Sequence, residues 1–179
     1  MPVRKEEAFS LVELLVCIAI IAVIAALAVP SLTRAKMAAN ESSATASVKV
    51  IATAEGVYWS TFGSGFSPDL TSLGGPTPCF PPTPQAACIL SSQLSTWPMA
   101  KSGYTFNAMG TTQVPNGMYY GFEVNATPVT FGVTGLNAYC NDQTGVARYV
   151  TPGYSPIGVG QGTCQNVVTV MGMSGPVGE

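Results

Sequence analysis

Histidine is absent from this 179-residue chain, and charged residues make up only 9% of it. The absence of histidine removes the commonest general base, the commonest metal ligand and the usual partner of a serine or cysteine nucleophile. The formal net charge of -2 provides no basic patch of the kind that nucleic-acid binding requires. The sequence therefore predicts a non-enzymatic protein with no cofactor, no metal site and no specific nucleic-acid partner.

The apolar residues are concentrated near the N-terminus. Residues 1–8 carry four consecutive charges, and residues 9–29 then carry a single charge, that of Glu13. As a helix, residues 9–29 would measure about 32 Å, which matches a hydrocarbon core of about 30 Å. The run is also longer than the apolar core of a secretory signal peptide. We therefore expect one membrane-spanning helix.

Glu13 needs a partner, because an acidic side chain deep in a bilayer costs about 2.5 to 3.5 kcal/mol on insertion scales. The residues around it read AFSLVELL from position 8. This segment resembles the processing and methylation signature of type IV pilins and type II secretion pseudopilins, in which a short charged leader is cut just before a Phe. Phe9, Glu13 and Pro30 have the family's spacing. The leader departs from the pattern at its last residue, Ala8, where the family usually has Gly.

The resemblance implies a mechanism of assembly. A prepilin peptidase would cut between Ala8 and Phe9, and the new amine of Phe9 would be methylated but remain cationic. Glu13 would then pair with that amine, in its own subunit or in a neighbour, and the pair would set the register of packed helices, with Pro30 also in the assembly helix. The implied partners are the membrane, an inner-membrane assembly platform and other copies of the chain in a helical homopolymer.

Three functions remain open at this point. The first is a structural subunit of a type IV pilus or related filament. The second is a pseudopilin of a type II secretion or DNA-uptake system. The third is a membrane-anchored periplasmic binding module that does not polymerise. In the first two cases the precursor would be a single-pass inner-membrane protein, and the mature form would lie in an extracellular or periplasm-spanning filament.

The cysteines indicate the compartment. Cys17 lies within the apolar run, whereas Cys79, Cys88, Cys140 and Cys164 form an even set in the rest of the chain. An even set is typical of two disulfides in an oxidising environment, although four cysteines allow three connectivities. The preferred pairing joins Cys79 to Cys88 across a Pro-rich loop and Cys140 to Cys164, which ties down the C-terminal segment much as pilin C-terminal loops are often stapled.

The order of the remaining elements predicts a pilin-like α+β fold, in which one long N-terminal helix packs on a small antiparallel sheet. The helix is expected to have a membrane half and an amphipathic half. The expected segments are a leader at 1–8, an assembly helix at 9–30, an amphipathic helix at 31–62, a Pro/Gly-rich surface loop at 63–103, the sheet at 104–150 and a Gly/Pro-rich extension at 151–179.

Periodicity refines these expectations. One helix face lines up Ala44, Val48, Ile51, Tyr58 and Phe62 and should cover the sheet. Within this apolar stripe, Glu55 is expected to reach past the helix edge to water or to Arg148, with a polar contact to the sheet or a neighbouring subunit as the alternative. Alternation and turn residues predict two hairpins and a further short strand. The hairpins comprise 104–108 with 118–125 and 138–141 with 146–150, and the short strand is 167–171.

Overall fold

The structure, a computed structural model, describes residues 10–76, 78–160, 162–167 and 172–178. The expected leader, the processing residues Ala8 and Phe9, and most of the short strand expected at 167–171 lie outside these described residues. The chain divides between Lys36 and Met37 into two compact units. The second of these units contains the whole sheet.

The first element is a single long helix, α1, at Leu11–Phe62. It continues through Pro30, as predicted, although proline has no N–H to donate to the carbonyl four residues earlier. Close to this position the hydroxyl of Thr33 donates to the carbonyl oxygen of Val29 at 3.1 Å. No further proline lies between Pro30 and Phe62, which allows the regular helix to continue to its end.

Among the described residues, six antiparallel strands follow α1 and a short helix, and their order across the sheet is their order in the chain. Both predicted hairpins are confirmed, as the second with the third strand and the fourth with the fifth. The two edge strands were not predicted, because each is only two or three residues long. The elements are α2 at Ser92–Ser95, β1 at Ala100–Lys101, β2 at Tyr104–Gln113, β3 at Tyr119–Pro128, β4 at Ala138–Asp142, β5 at Arg148–Val150 and β6 at Ser174–Pro176.

The core of the second unit lies between the C-terminal part of α1 and one face of the sheet. The helix face predicted to cover the sheet is buried, with Phe62 partly buried at its end. Side chains two residues apart on β2 and β3 meet this face, as the strand period requires. They are Tyr104, Phe106 and Ala108 on β2 and Phe122, Val124 and Ala126 on β3.

The connector from residue 63 to 103 was predicted to be a surface loop, and this is only partly correct. Residues 81–85 are exposed, but Leu70, Leu73, Leu90 and Leu94 are buried in the core. Glycine and proline limit the regular structure here to the four-residue helix α2 and the edge strand β1, without preventing the leucines between them from packing. Hydrogen bonds within the connector satisfy part of its backbone, since the N–H groups of Ile89 and Leu90 both donate to the carbonyl oxygen of Leu73 at 2.9 Å.

Part of the extension beyond residue 150, around Gly158, Gly160 and Cys164, lies against the other face of the sheet. Glu123, Asn125 and Cys140 lie on this face, because they alternate with the core residues of β3 and β4. All three are buried. The amide nitrogen of Asn125 donates to the carbonyl oxygen of Gly158 at 3.0 Å, which fixes this part of the extension to β3.

Candidate assembly site

The first turn of α1 is closed by Ser10 and Glu13. The Ser10 hydroxyl oxygen accepts from the backbone N–H of Val12 at 3.3 Å, and a carboxylate oxygen of Glu13 accepts from the backbone N–H of Ser10 at 3.2 Å. A serine followed three residues later by a glutamate in this arrangement is a capping box, which satisfies backbone donors at a helix start. A carboxylate is also favoured at this end by the helix dipole. Glu13 therefore has a local structural role besides the pairing expected from the sequence.

The surface of α1 beyond this turn is apolar and exposed. One helix in the described part of the chain is long and apolar enough to cross a membrane, and it is α1. None of its most apolar 18-residue window is buried in the protein. Cys17 is exposed in the same stretch and has a free thiol. A shallow groove of about 360 Å³ runs along this surface, lined by Leu15, Val16, Ala19, Ile20, Val23 and Ile24.

The sequence-predicted assembly residues have different surroundings. Glu13 lies in the first turn with Ser10, whereas Pro30 lies several turns further along the helix, so the two are not brought together. Phe9 and Ala8 are not among the described residues. Phe9 directly precedes Ser10 in the chain, and the amine that cleavage would create is therefore one residue from the N–H group that Glu13 binds.

Every acidic side chain in the described part of the chain accepts a hydrogen bond from a backbone N–H group. Glu41, for example, binds Leu136 N–H at 2.7 Å and Asn137 N–H at 3.3 Å, which fixes the β3–β4 loop to α1. Bonds to ionised acceptors are among the stronger ones in proteins. The six acceptors are Glu13, Glu41, Glu55, Asp69, Glu123 and Asp142. These carboxylates position backbone segments, and within the described ranges no three or more His, Cys, Asp or Glu side chains form a group that could hold a metal ion.

Glu55 does not reach water or Arg148, and that prediction was wrong. It is fully buried and contacts the connector: Ser67 donates its backbone N–H at 2.9 Å and its hydroxyl at 2.6 Å. The ion pair of Arg148 is instead with Asp142, at 3.3 Å. The alternative prediction was a polar contact from Glu55 to the sheet or to a neighbouring subunit. Glu55 does make a polar contact, but its partner is Ser67 of the connector. The contact was missed because Ser67 lies beyond the end of α1, in an irregular segment.

Burial raises the pKa of Glu55 to about 7, with a further contribution from the charge of Asp69, while the bonds from Ser67 oppose the rise. The position of the Ser67 hydroxyl allows a hydrogen bond with Glu55 in both protonation states of the carboxyl group. The Ser67 hydroxyl lies within 3.0 Å of the Asp69 carbonyl oxygen as well as beside Glu55. When Glu55 is protonated it can donate to the Ser67 oxygen, and Ser67 can then donate to Asp69.

This pKa predicts that the fold loses stability as pH rises. The folded pKa of Glu55 lies above its value of 4.5 in the unfolded chain. Between about pH 4.5 and pH 7 the unfolded chain has therefore released a proton that the folded chain keeps, and the free energy of unfolding falls as pH rises. We expect a fall of about 3 kcal/mol in the free energy of unfolding across this range. Glu55→Gln keeps the neutral hydrogen bonds and should be nearly pH-independent there, as measured by urea unfolding at a series of pH values. Equal pH dependence in the two proteins would contradict the assignment.

The extension is held by Glu123 and by a disulfide. Glu123 accepts the backbone N–H of Cys164 at 2.8 Å, the hydroxyl of Thr163 at 3.2 Å and the backbone N–H of Gly160. Disulfides join Cys140 to Cys164 and Cys79 to Cys88, which is the pairing preferred from the sequence. The part played by Glu123 was not foreseen, because its partners lie far along the chain in a segment without periodicity.

Comparison with known proteins adds evidence for the first helix alone. Residues 3–29 match the family model described as the prokaryotic N-terminal methylation motif. No curated protein and no solved structure matches the chain significantly. The match includes the charged N-terminal residues, the capping box at Ser10 and Glu13, and the apolar part of α1, and it ends before the second compact unit.

The apolar helix and this motif fit a membrane-anchored precursor. The long helix and the six-stranded antiparallel sheet give a pilin-like α+β fold. The chain thus carries the N-terminal methylation motif of the type IV pilin and pseudopilin family on a pilin-like fold.

Proposed function

We propose that this protein is a structural subunit that polymerises through its N-terminal helix into a type IV pilus or a related filament. Prepilin peptidase removes residues 1–8, the amine of Phe9 is methylated, and the assembly platform of the inner membrane adds the subunit to the growing polymer. The family has structural and not catalytic members, so no reaction is assigned to the chain.

The observation that carries this proposal is a single carboxylate at the start of a long exposed apolar helix. Glu13 is the only charged residue between Phe9 and Val29, and the side chains that follow it have no protein partner in the described part of one subunit. Such a surface has to be covered by lipid or by other helices. Helices of neighbouring subunits cover it after the subunit leaves the membrane.

The charge pair between Glu13 and the amine of Phe9 fixes the register in which helices of neighbouring subunits pack. At 4 Å and an effective dielectric of about 20, the attraction between Glu13 and the Phe9 amine amounts to about 4 kcal/mol before desolvation. Desolvation offsets much of that attraction, and such pairs are best known for selecting one arrangement among several. The pair therefore sets the stagger of adjacent subunits more than it adds stability to the polymer.

Co-assembly of two tagged copies tests the proposal. Different epitopes can be inserted into the exposed stretch 81–85 of two copies expressed together, since exposed loop tips tolerate insertion. We expect one epitope to capture the other from sheared surface filaments. Capture only from a cell-associated polymer would favour a pseudopilus of a secretion or DNA-uptake system. If neither fraction contains both epitopes together, the chain is a non-polymerising anchor and the proposal is wrong.

A further inference from the structure

We propose that the second compact unit binds a small organic carboxylate in a cleft between α1 and the turn that follows β4. The cleft has a volume of about 460 Å³, within the range of small-molecule sites. Its walls are formed by both polar and aromatic side chains. Those used below are Lys49, Gly56, Phe66, Phe122, Asn141 and Gln143. The inference does not depend on polymerisation.

Asn141 provides an amide donor that has no hydrogen-bond partner among the described residues. Only 2% of this residue is exposed, and its side-chain oxygen accepts the backbone N–H of Asp142 at 2.8 Å. That bond fixes which way the amide faces, because a rotated amide would set two donors against each other. The amide nitrogen is then left without a partner among the described residues, in a side chain that lines the cleft. An acceptor atom of a ligand in the cleft can therefore bond to this nitrogen without displacing a protein partner.

The charge of the cleft selects an anion. Two of its lining residues are ionisable, Lys49 and Asp142. Asp142 is already engaged by Arg148 at 3.3 Å and by the backbone N–H of Thr144 at 2.8 Å. In the described ranges no carboxylate lies within ion-pair distance of Lys49. The ammonium of Lys49 and the amide groups of Asn141 and Gln143 together favour a ligand with a negatively charged acceptor.

The aromatic side of the cleft and the open space above Gly56 can accommodate the apolar part of a ligand. The rings of Phe66 and Phe122 meet edge to face with centroids 4.8 Å apart. Gly56 lies in the interior of α1, where glycine costs about 1 kcal/mol relative to alanine. Packing does not require it, since a Cβ at this position would meet no atom within 4 Å. Glycine here keeps space open above the helix, and that space belongs to the cleft.

A titration of the full-length, ¹⁵N-labelled protein in detergent tests the site, with benzoate as the probe and benzamide as its uncharged counterpart. We expect saturable shifts of the Asn141 side-chain amide in the millimolar range with benzoate and binding about tenfold weaker with benzamide. Absence of saturable benzoate binding, or equal binding of the two probes, would overturn the proposal.

Two variants separate the site from general charge effects. Lys49→Gln should weaken benzoate binding about tenfold. Lys101→Gln is the matched control, because Lys101 donates to Ser47 at 3.2 Å and does not line the cleft, and it should leave binding unchanged. Gly56→Leu fills the open space and should abolish binding, with circular dichroism verifying that the variant is folded. Equal affinities for the two lysine variants, or unchanged binding in folded Gly56→Leu, would contradict the assignment.

Discussion

Glu13→Ala is expected to give a processed, membrane-inserted subunit that enters filaments at a yield lower by about tenfold or more. The apolar helix remains, so insertion is preserved, but the carboxylate that pairs with the amine of Phe9 is lost. Without the pair, several staggers of adjacent helices have similar energies, and growth in one register fails. Immunoblots of the sheared and membrane fractions measure this yield directly.

Two further variants separate the charge pair from the capping box. Glu13→Gln keeps an acceptor for the Ser10 N–H, as capping boxes allow, but removes the negative charge. Ser10→Ala removes the hydroxyl cap at a cost of about 1 kcal/mol and keeps the charge. We expect the glutamine variant to assemble as poorly as Glu13→Ala, and Ser10→Ala to assemble nearly normally. Normal filament yield from Glu13→Gln would assign Glu13 to helix capping alone.

Loss of the Cys140–Cys164 disulfide is expected to lower the free energy of unfolding of the second unit by about 3.5 kcal/mol, on the loop-entropy model for a closed loop of 24 residues. The bond fixes the extension to the outer face of the sheet, where Glu123 and Asn125 hold it only by hydrogen bonds. The double variant Cys140→Ser/Cys164→Ser can be compared with the unchanged protein by urea unfolding, followed through tryptophan fluorescence.

The second disulfide supplies a matched control. Cys79–Cys88 closes a shorter loop of nine residues, and its removal should cost about 2.5 kcal/mol on the same model. It lies in the connector, so its loss should leave the extension in place. Amide hydrogen exchange of residues 158–160 and 162–164 should accelerate only in the Cys140→Ser/Cys164→Ser variant. Acceleration in neither variant would mean that Glu123 and Asn125 suffice to hold the extension.

The parts of the fold that repeat locally could be predicted from the sequence. The apolar stripe from Ala44 to Tyr58 has helical spacing, and the strands at Tyr104 and Tyr119 alternate with a period of two. The processing motif is equally local, because the residues that resemble the family signature lie within one short N-terminal segment. These features need no knowledge of which distant segments meet.

The features that were missed depend on contacts between distant segments. The connector leucines join the core although glycine and proline surround them, and the pattern there carries no period from which burial could be read. Glu55 meets Ser67 across an irregular turn, and Glu123 meets Cys164 across 41 residues. A lone acidic residue within an apolar stripe was the available signal for Glu55. For Glu123, the equivalent signal was an acid in the middle of an alternating strand.

These contacts bear on how little charge the second unit exposes at its surface. Three of its described carboxylates, Glu55, Glu123 and Asp142, are buried and hydrogen-bonded to backbone N–H groups, so they add little charge to the surface. A surface with few charges has little like-charge repulsion between copies. This suits the dense packing of identical subunits that the proposed function requires.

Mass spectrometry of the N-terminal peptide tests the central claim most directly. We expect sheared filaments to yield a peptide beginning at Phe9 with a methylated amine, with no peptide from residues 1–8 accompanying it. An intact precursor found solely as a monomer in the membrane fraction, with residues 1–8 still attached, would contradict processing, charge pairing and assembly together.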